Sequence, residues 1–214
     1  MKKLLATAIF ALIGAGAFAQ TTQGTIVVSG AVGYTKNTRD FGNSPVTQTS
    51  FNITPSMGYF ILDGLEVGAS IGYKQDKSNE AVMGGYGPVN YENVTKAFGF
   101  MPYLKKYFMV SDKVAFTASA QAGISKGTST NKPSSGFYNI TELDISDFQV
   151  AVVPGISFFA TDKIGINASF GSFGYSQVKS EYEGSYEISF NTSTFGLNLD
   201  SSTLGIGFSY HFNR

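Results

Sequence analysis

Few side chains in this sequence could act as catalysts. Common hydrolases and acyltransferases activate a nucleophile with histidine, and the chain has a single histidine, His211, and no cysteine. A zinc site would need a cluster of histidine and cysteine residues, which the sequence lacks. His211 belongs to the polar phase of a C-terminal strand, and we interpret it as structural. The sequence therefore predicts no catalytic, cofactor-binding or metal-binding residue, and no enzyme.

Two oppositely charged residues, Glu66 and Lys105, lie in the inward-facing phase of segments predicted to be neighbouring strands. Buried charges need partners, so we expect Glu66 to pair with an inward lysine, and Lys105 is the favoured one. The alternative is that each charge reaches bulk water at one end of the structure. Other polar residues share the inward phase and could complete a polar network: Lys74, Gln121, Gln149 and Asn167.

These positions depend on a hairpin unit that occurs three times. Each copy has a proline, an aromatic pair, a tight turn with an aspartate, and then an alternating segment. The turn aspartates Asp63, Asp112 and Asp162 are 49 and 50 residues apart, and an Ala-Ser pair begins six residues after each of them. Repetition at a fixed period indicates one supersecondary unit that is used repeatedly.

Alternation within each unit defines two faces. After the first turn the apolar residues Leu65, Val67 and Ala69 recur at every second position, and the opposite phase is polar or glycine. A period of two is typical of a β-strand with one apolar face. Each strand therefore separates an apolar medium from a polar one. The apolar medium is either a protein core or a lipid bilayer.

The N-terminus indicates export. Residues 1–19 have a basic start, an uncharged apolar run and the cleavage pattern Ala17-Phe18-Ala19, so we expect a cleaved signal peptide and a mature domain of residues 20–214. That domain lacks the run of about 18 apolar residues that a membrane helix needs. Only 14% of the chain is charged, against about 25% in typical domains. The net charge of zero gives no indication of a nucleic-acid partner.

The lengths of the connections predict the topology. Three tight turns alternate with four long polar connections, which we interpret as loops, and together they join eight strands. Prolines stand at matching places in three strands, where we expect bulges or kinks. The predicted fold class is all-β, an eight-stranded antiparallel up-and-down transmembrane β-barrel. The expected loops are residues 35–48, 75–92, 126–144 and 177–197, and the prolines are Pro55, Pro102 and Pro154.

Aromatic residues favour a bilayer as the apolar medium. Aromatic pairs lie beside the short turns and tyrosines lie at the opposite strand ends, which is the pattern of two interfacial belts. From Leu65 to Tyr73 a strand would run about 26 Å, or ~20 Å upright after a tilt of about 40°, close to the ~25 Å apolar band of an outer-membrane barrel. The pairs are Tyr59-Phe60, Tyr107-Phe108 and Phe158-Phe159, and the tyrosines are Tyr34, Tyr73 and Tyr175.

The mature chain resembles the small outer-membrane β-barrel family, the OmpX/OmpA-like and porin-like barrel domains of Gram-negative envelopes. The resemblance rests on the signal peptide, on the repeated hairpins and on the C-terminal Gly207-Phe208-Ser209-Tyr210-His211-Phe212, which is similar to the family's insertion signal. The family often ends on the aromatic residue, whereas Asn213 and Arg214 follow here. The resemblance implies a place in the bacterial outer membrane, contact with its lipids and insertion by the barrel-assembly machinery.

A barrel of this kind is a scaffold, so its function would lie in the exposed connections. We expect a structural or surface-interaction role, in which four long extracellular loops contact an external ligand or surface. One alternative is a narrow porin-like channel or carrier for small solutes, because small inward residues would leave room for water. Another is a soluble lipocalin-like ligand carrier, in which the apolar phase would face inward.

Overall fold

The structure is a computed structural model that describes residues 19–41, 44–84, 87–133, 141–182, 189–199 and 205–212. Residues 1–18 of the predicted signal peptide lie outside this part of the chain. A short 3-10 turn, Ala19–Thr21, precedes ten strands, and no helix within the described ranges is long and apolar enough to cross a membrane. The strands are β1 Ile26–Phe41, β2 Ser44–Leu62, β3 Leu65–Gly84, β4 Gly87–Ser111, β5 Val114–Pro133, β6 Thr141–Phe159, β7 Ile164–Ser169, β8 Ser172–Tyr182, β9 Ser189–Asn198 and β10 Gly205–Phe212.

Eight of the ten strands form a closed antiparallel ring. The order around it is β1, β2, β3, β4, β5, β6, β7 and β10, and β10 returns to pair with β1. The two remaining strands continue the wall at one end, where β8 pairs with β6 and β9 pairs with β8. Closure leaves no free edge in the ring itself, which is how a barrel satisfies its backbone hydrogen bonds.

The strand count differs from the predicted eight because one expected strand is broken at a bulge. β7 pairs with Gly155–Phe159 of β6 and β8 pairs with Leu143–Val152, and the register shifts by one residue between them. The break contains Gly171, whose φ of 66° lies in the left-handed region. A glycine in that conformation is the usual carrier of an extra bulge residue. The last expected strand, about residues 203–212, is present as β10, and the tenth strand, β9, lies almost entirely within the expected loop of residues 177–197.

The prediction of four long loops is wrong for the described parts of these segments, because the strands continue into them. β1 and β2 stay paired to Phe41 and Ser44, and β3 and β4 to Gly84 and Gly87. The polar composition that indicated loops suits a strand with water on both faces. We call the strand parts beyond the apolar band the hairpin extensions: residues 35–41 with 44–50, 74–84 with 87–97, 125–133 with 141–147, and 176–182 with 189–194.

The three prolines do not bulge their own strands. Pro55, Pro102 and Pro154 each pair with the preceding strand in the ring. On the side of the following strand each leaves a short gap in the ladder, which follows from its missing N–H. Register is unchanged across the gaps at Pro55 and Pro102, and the shift beside Pro154 places the extra residue on the partner.

The apolar phase faces outward around the ring, as the bilayer interpretation predicts. Val67, Ile71, Phe116 and Phe208 are 42%, 61%, 52% and 63% exposed. Large apolar side chains exposed in such numbers are unfavourable in water and favourable against lipid. The lipocalin-like alternative is therefore wrong, since it places this phase inside.

The tight turn between β2 and β3 requires glycine at its second position. Gly64 has a φ of 67°, and an added Cβ would lie 3.1 Å from the carbonyl oxygen of Tyr107. We expect Gly64→Ala to lower the free energy of unfolding by roughly 1–2 kcal/mol, the cost of a left-handed non-glycine residue. Urea unfolding of the barrel in detergent micelles measures the change.

Gly196 provides the matched control for that substitution. It lies in β9, and an added Cβ would have no heavy atom within 4 Å. Gly196→Ala is expected to leave the free energy of unfolding unchanged. An equal loss in the two variants would mean that the conformation of Gly64 is not what the turn depends on.

Candidate functional site

Four rings close the barrel interior at the end that carries the tight turns, which we call the short-turn end. Phe60, Tyr107, Phe159 and His211 come from four different strands, and each is at most 4% exposed. Ring centroids are 5.3 Å apart for Phe60 and Tyr107, 6.4 Å for Tyr107 and Phe159, 5.4 Å for Phe159 and His211, and 6.1 Å for His211 and Phe60. These contacts make a complete cycle, the aromatic floor, at distances typical of favourable aromatic pairs.

The aromatic floor was missed by the sequence analysis, which assigned the aromatic pairs to an outer belt. In two of the pairs, Tyr59-Phe60 and Phe158-Phe159, the first ring is exposed and the second is buried. The alternation itself carries the signal, because Phe60 and Phe159 share the inward phase of their strands. Pairs of aromatic residues therefore supply the outer belt and the floor together.

His211 is held in the floor by a directed chain of hydrogen bonds. Its Nδ1 lies 2.8 Å from the carbonyl oxygen of Gln20, which can only accept, so Nδ1 carries a proton. Nε2 of the neutral ring then accepts from Ser209 Oγ at 3.1 Å. Ser209 in turn accepts from Asn167 Nδ2 at 3.1 Å, and Asn167 Oδ1 accepts from Ser157 Oγ at 2.6 Å. The prediction that His211 faces inward is confirmed.

A serine beside a histidine is also the start of a nucleophile and base pair. Here Ser209 is 4% exposed and His211 is fully buried, so no substrate reaches Ser209 Oγ. Within the described residues no group of three or more metal-ligating side chains is present. The arrangement offers packing and hydrogen bonding, and the absence of enzymatic activity stays a prediction.

The segment before β1 crosses the short-turn end beneath the floor. Thr21 accepts a hydrogen bond through its carbonyl oxygen from the Gly64 amide at 2.8 Å, and Gln20 Nε2 donates to Asp162 Oδ1 at 3.1 Å. The Gln23 amide donates to Asp63 Oδ1 at 2.8 Å. Two of the repeated turn aspartates therefore bind the N-terminal segment, which ties it to opposite parts of the wall.

Glu66 lies above the floor and is 1% exposed. Tyr103 donates a hydrogen bond to its Oε1 at 2.5 Å, and Tyr107 donates to its Oε2 at 2.7 Å. The register partner of Glu66 on β2 is Phe60, and the Glu66 side chain extends over Gly58, where an added Cβ would collide with the carboxylate. Both carboxylate oxygens thus have short hydrogen bonds from hydroxyl groups, which are the strong kind.

The predicted ion pair between Glu66 and Lys105 is not formed in the described structure. The two residues lie directly opposite each other in the register of β3 and β4, as expected. The carboxylate is instead bound by Tyr103 and Tyr107, and the Lys105 ammonium lies 4.7 Å above the Tyr107 ring. Tyrosine hydroxyls reach the buried oxygens, while the longer lysine turns its charge onto an aromatic face. Glu66 is 1% exposed and does not reach bulk water, so the alternative is not what is seen for this residue either.

The lumen above this layer contains a cavity of about 310 Å³. Lys105 and Tyr103 lie at its wall together with small polar residues, among them Ser70, Ser119 and Asn167. The predicted inward residues divide between this cavity and other places. Gln121 lines the cavity, Gln149 donates to Met101 Sδ at 3.7 Å, and Lys74 is 59% exposed in an ion pair of 2.7 Å with Asp76.

The hairpin extensions carry ion pairs, both between strands and within a strand. Lys77 Nζ lies 2.6 Å from Glu92 Oε2 across β3 and β4, and this hydrogen bond lowers the pKa of the Glu92 carboxyl. Within β8, Lys179 Nζ lies 2.7 Å from Glu181 Oε1. Both pairs are 40–50% exposed, so they give the extensions a charged surface more than they add stability.

Of two solved structures that match this chain, the first shows the same kind of fold. The outer membrane protein OprG from Pseudomonas aeruginosa matches 92% of this chain over 100% of its own length, with a TM-score of 0.54 and 12% identity. The N-terminal β-barrel domain of OprF from the same organism matches 89% of this chain over 98% of its own, with a TM-score of 0.36 and 14% identity. A search of curated proteins gives no match.

The family comparison covers nearly the whole chain. The model described as the outer membrane protein beta-barrel domain matches residues 5–212. It agrees with the closed antiparallel ring and with the outward apolar phase. The chain therefore belongs to the outer membrane protein beta-barrel domain family.

Proposed function

We propose that this protein is a non-conducting barrel of the bacterial outer membrane whose hairpin extensions form a binding surface for partners outside the cell. The observation that carries the proposal is the continuation of paired strands far past the apolar band. From Tyr73 to Gly84, β3 runs on for eleven residues, or about 36 Å along the strand. Lipids of the outer membrane surround the apolar band, and the barrel-assembly machinery inserts the chain.

Two strands of the extensions have one edge without a ladder partner among the described residues. In β1 the part beyond Ala31 pairs only with β2, and in β9 residues 189–197 pair only with β8 within the described ranges. Along these edges the described N–H and C=O groups are open to a further strand. Such edges bind extended segments by strand addition. Side chains of β9 are exposed on both faces, which leaves this strand accessible from either side.

The aromatic floor supports the non-conducting part of the proposal. Four buried rings in mutual contact fill the inside of the ring at the short-turn end. The buried N-terminal residues Gln20, Thr21 and Thr25 lie next to it. An ion would have to cross an apolar layer at high cost in solvation, which argues against the porin-like alternative.

Conductance in planar bilayers tests the seal. The full-length purified barrel is expected to give no steady current in 1 M KCl, because the aromatic floor blocks the lumen. A Phe60→Ala/Phe159→Ala variant that still shows heat-modifiable migration on gels supplies the open-floor control. Steady unitary currents from the unaltered barrel would overturn the non-conducting assignment.

A shortened hairpin tests the surface role. Asn79 and Glu92 face each other in the β3–β4 ladder, so removing residues 80–91 and closing with Asn-Gly preserves the register below. Cells that display the shortened chain are expected to attach less to immobilised proteins and glycans than cells with the full chain at equal surface level. Equal attachment on every surface tested, for the full chain, the shortened chain and cells without the protein, would overturn the role.

A further inference from the structure

We propose that the cavity above the aromatic floor binds a small carboxylate that carries hydroxyl groups, with Lys105 as the residue that binds the carboxylate. The site is separate from the extension surface. It shares one feature with the proposed function: the aromatic floor closes the lumen at the short-turn end, so the cavity opens only toward the hairpin extensions.

Lys105 has hydrogen-bond donors that no described protein group accepts. Its ammonium has three N–H donors, and its one close protein contact in the described structure is the face of Tyr107 at 4.7 Å. The neighbouring carboxylate of Glu66 is already bound at both oxygens by Tyr103 and Tyr107. A half-buried ammonium without a protein acceptor favours an anion from the lumen.

The cavity wall presents a positive charge to a ligand, whereas the nearby carboxylate lies behind it. Lys105 and Tyr103 line the cavity, whereas Glu66 does not. Tyr103 thus stands between the carboxylate and the cavity, and it donates its hydroxyl proton to that carboxylate. Among the described lining residues Lys105 is the one with a charge. A single cation set in a narrow, low-dielectric lumen attracts small anions.

Neutral polar side chains lie around Lys105 at the cavity wall. Hydroxyl and amide side chains that can donate and accept hydrogen bonds make up part of the wall, beside glycine and apolar residues. They give the hydroxyl groups of a ligand partners that an alkyl chain could not use. The groups are Ser56, Ser70, Thr117, Ser119, Gln121 and Asn167.

The volume of the cavity and its open end limit which ligands can bind. A cavity of about 310 Å³ corresponds to about ten water molecules at roughly 30 Å³ each, which suits a sugar acid of about six carbons. The aromatic floor closes the lumen below, so a ligand enters and leaves from the end of the hairpin extensions. The cavity is therefore a binding site that is closed at one end, and not a channel through the barrel.

Calorimetric titration of the detergent-solubilised full chain with D-gluconate at low ionic strength tests the site. We expect saturable binding of one gluconate per barrel and none of sorbitol, its neutral analogue. Lys105→Gln should weaken binding about ten- to hundredfold, the loss of one charge-assisted hydrogen bond. Lys106→Gln is the matched control, because Lys106 donates to the Asp63 carbonyl oxygen at the rim and should leave gluconate affinity unchanged.

A second variant and a second measurement distinguish a loss of binding from misfolding of the Lys105 variant. Ser119→Leu occupies cavity volume and keeps the lysine, and it should weaken gluconate binding as well. In methyl NMR spectra of threonine-labelled protein, the Thr117 signal should shift on titration and the Thr192 signal in β9 should not. No binding to the unaltered barrel at 50 mM gluconate, equal affinity with Lys105→Gln, or shifts confined to Thr192 would each overturn the proposal.

Discussion

Replacing Phe159 with alanine is expected to lower the free energy of unfolding of the barrel by about 3–5 kcal/mol. Phe159 is 1% exposed and contacts both Tyr107 and His211 in the aromatic floor. Its removal leaves a cavity between rings that are fixed on four strands, and a closed wall cannot collapse to fill it. Urea unfolding in detergent micelles, followed by far-ultraviolet circular dichroism, measures the loss.

Phe158→Ala provides the control one position earlier in the chain. Phe158 is 44% exposed on the outer face of the same strand, so its loss removes contacts with detergent or lipid and leaves the interior intact. We expect a smaller loss, about 1–1.5 kcal/mol. Equal losses for the two variants would mean that the floor contributes no more stability than the outer belt.

Replacing Glu66 with alanine is expected to cost about 3–5 kcal/mol of unfolding free energy, the range for breaking a buried charged network. The substitution leaves the hydroxyl protons of Tyr103 and Tyr107 without their acceptor and Lys105 without a nearby counter-charge. Glu66→Gln keeps the size and one acceptor oxygen, and we expect about half that cost. The same urea titration compares the two.

Glu181→Ala is the control for removing a paired acid at the surface. Glu181 forms an ion pair with Lys179, and both are about half exposed. Its loss should change the unfolding free energy by about 0–1 kcal/mol. A cost of less than about 1 kcal/mol for Glu66→Ala would contradict the role of the carboxylate as the centre of the interior network.

Side-chain alternation in the sequence predicted which residues face outward from the barrel wall, because alternation is a local property of each strand. A period of two places Leu65, Val67 and Ala69 on one face whatever their partners are. The inward phase of Glu66 and Lys105 on neighbouring strands followed from the same alternation. The β3–β4 ladder then places the two residues opposite each other.

The interior contacts did not follow from the same pattern. Alternation places Tyr103, Lys105 and Tyr107 all inward, but it does not say which of them reaches the carboxylate of Glu66. Two tyrosines do, and both lie at diagonal positions of the neighbouring strand, two residues before and two residues after Lys105. Side-chain length and direction decide such contacts, and they depend on the twist of the sheet around a closed ring.

For the hairpin extensions, the polar amino-acid composition led to the wrong prediction of loops. Residues 75–80 are polar on both faces, so they look like part of a loop when one apolar face is taken as the mark of a strand. The pairing of β3 with β4 as far as Gly84 depends on a ladder already formed further down the hairpin. Backbone hydrogen bonds continue such a ladder with no apolar face to support it.

The sequence by itself determined the antiparallel hairpins, the outward apolar phase and the inward position of His211, because each depends on residues close together in the chain. Only the tertiary structure decided the aromatic floor, the tyrosine ligands of Glu66 and the cavity at Lys105. These features join side chains from β2, β3, β4, β6 and β10 across the inside of the ring. Closure of the wall brings them together, and no local pattern specifies which of them meet.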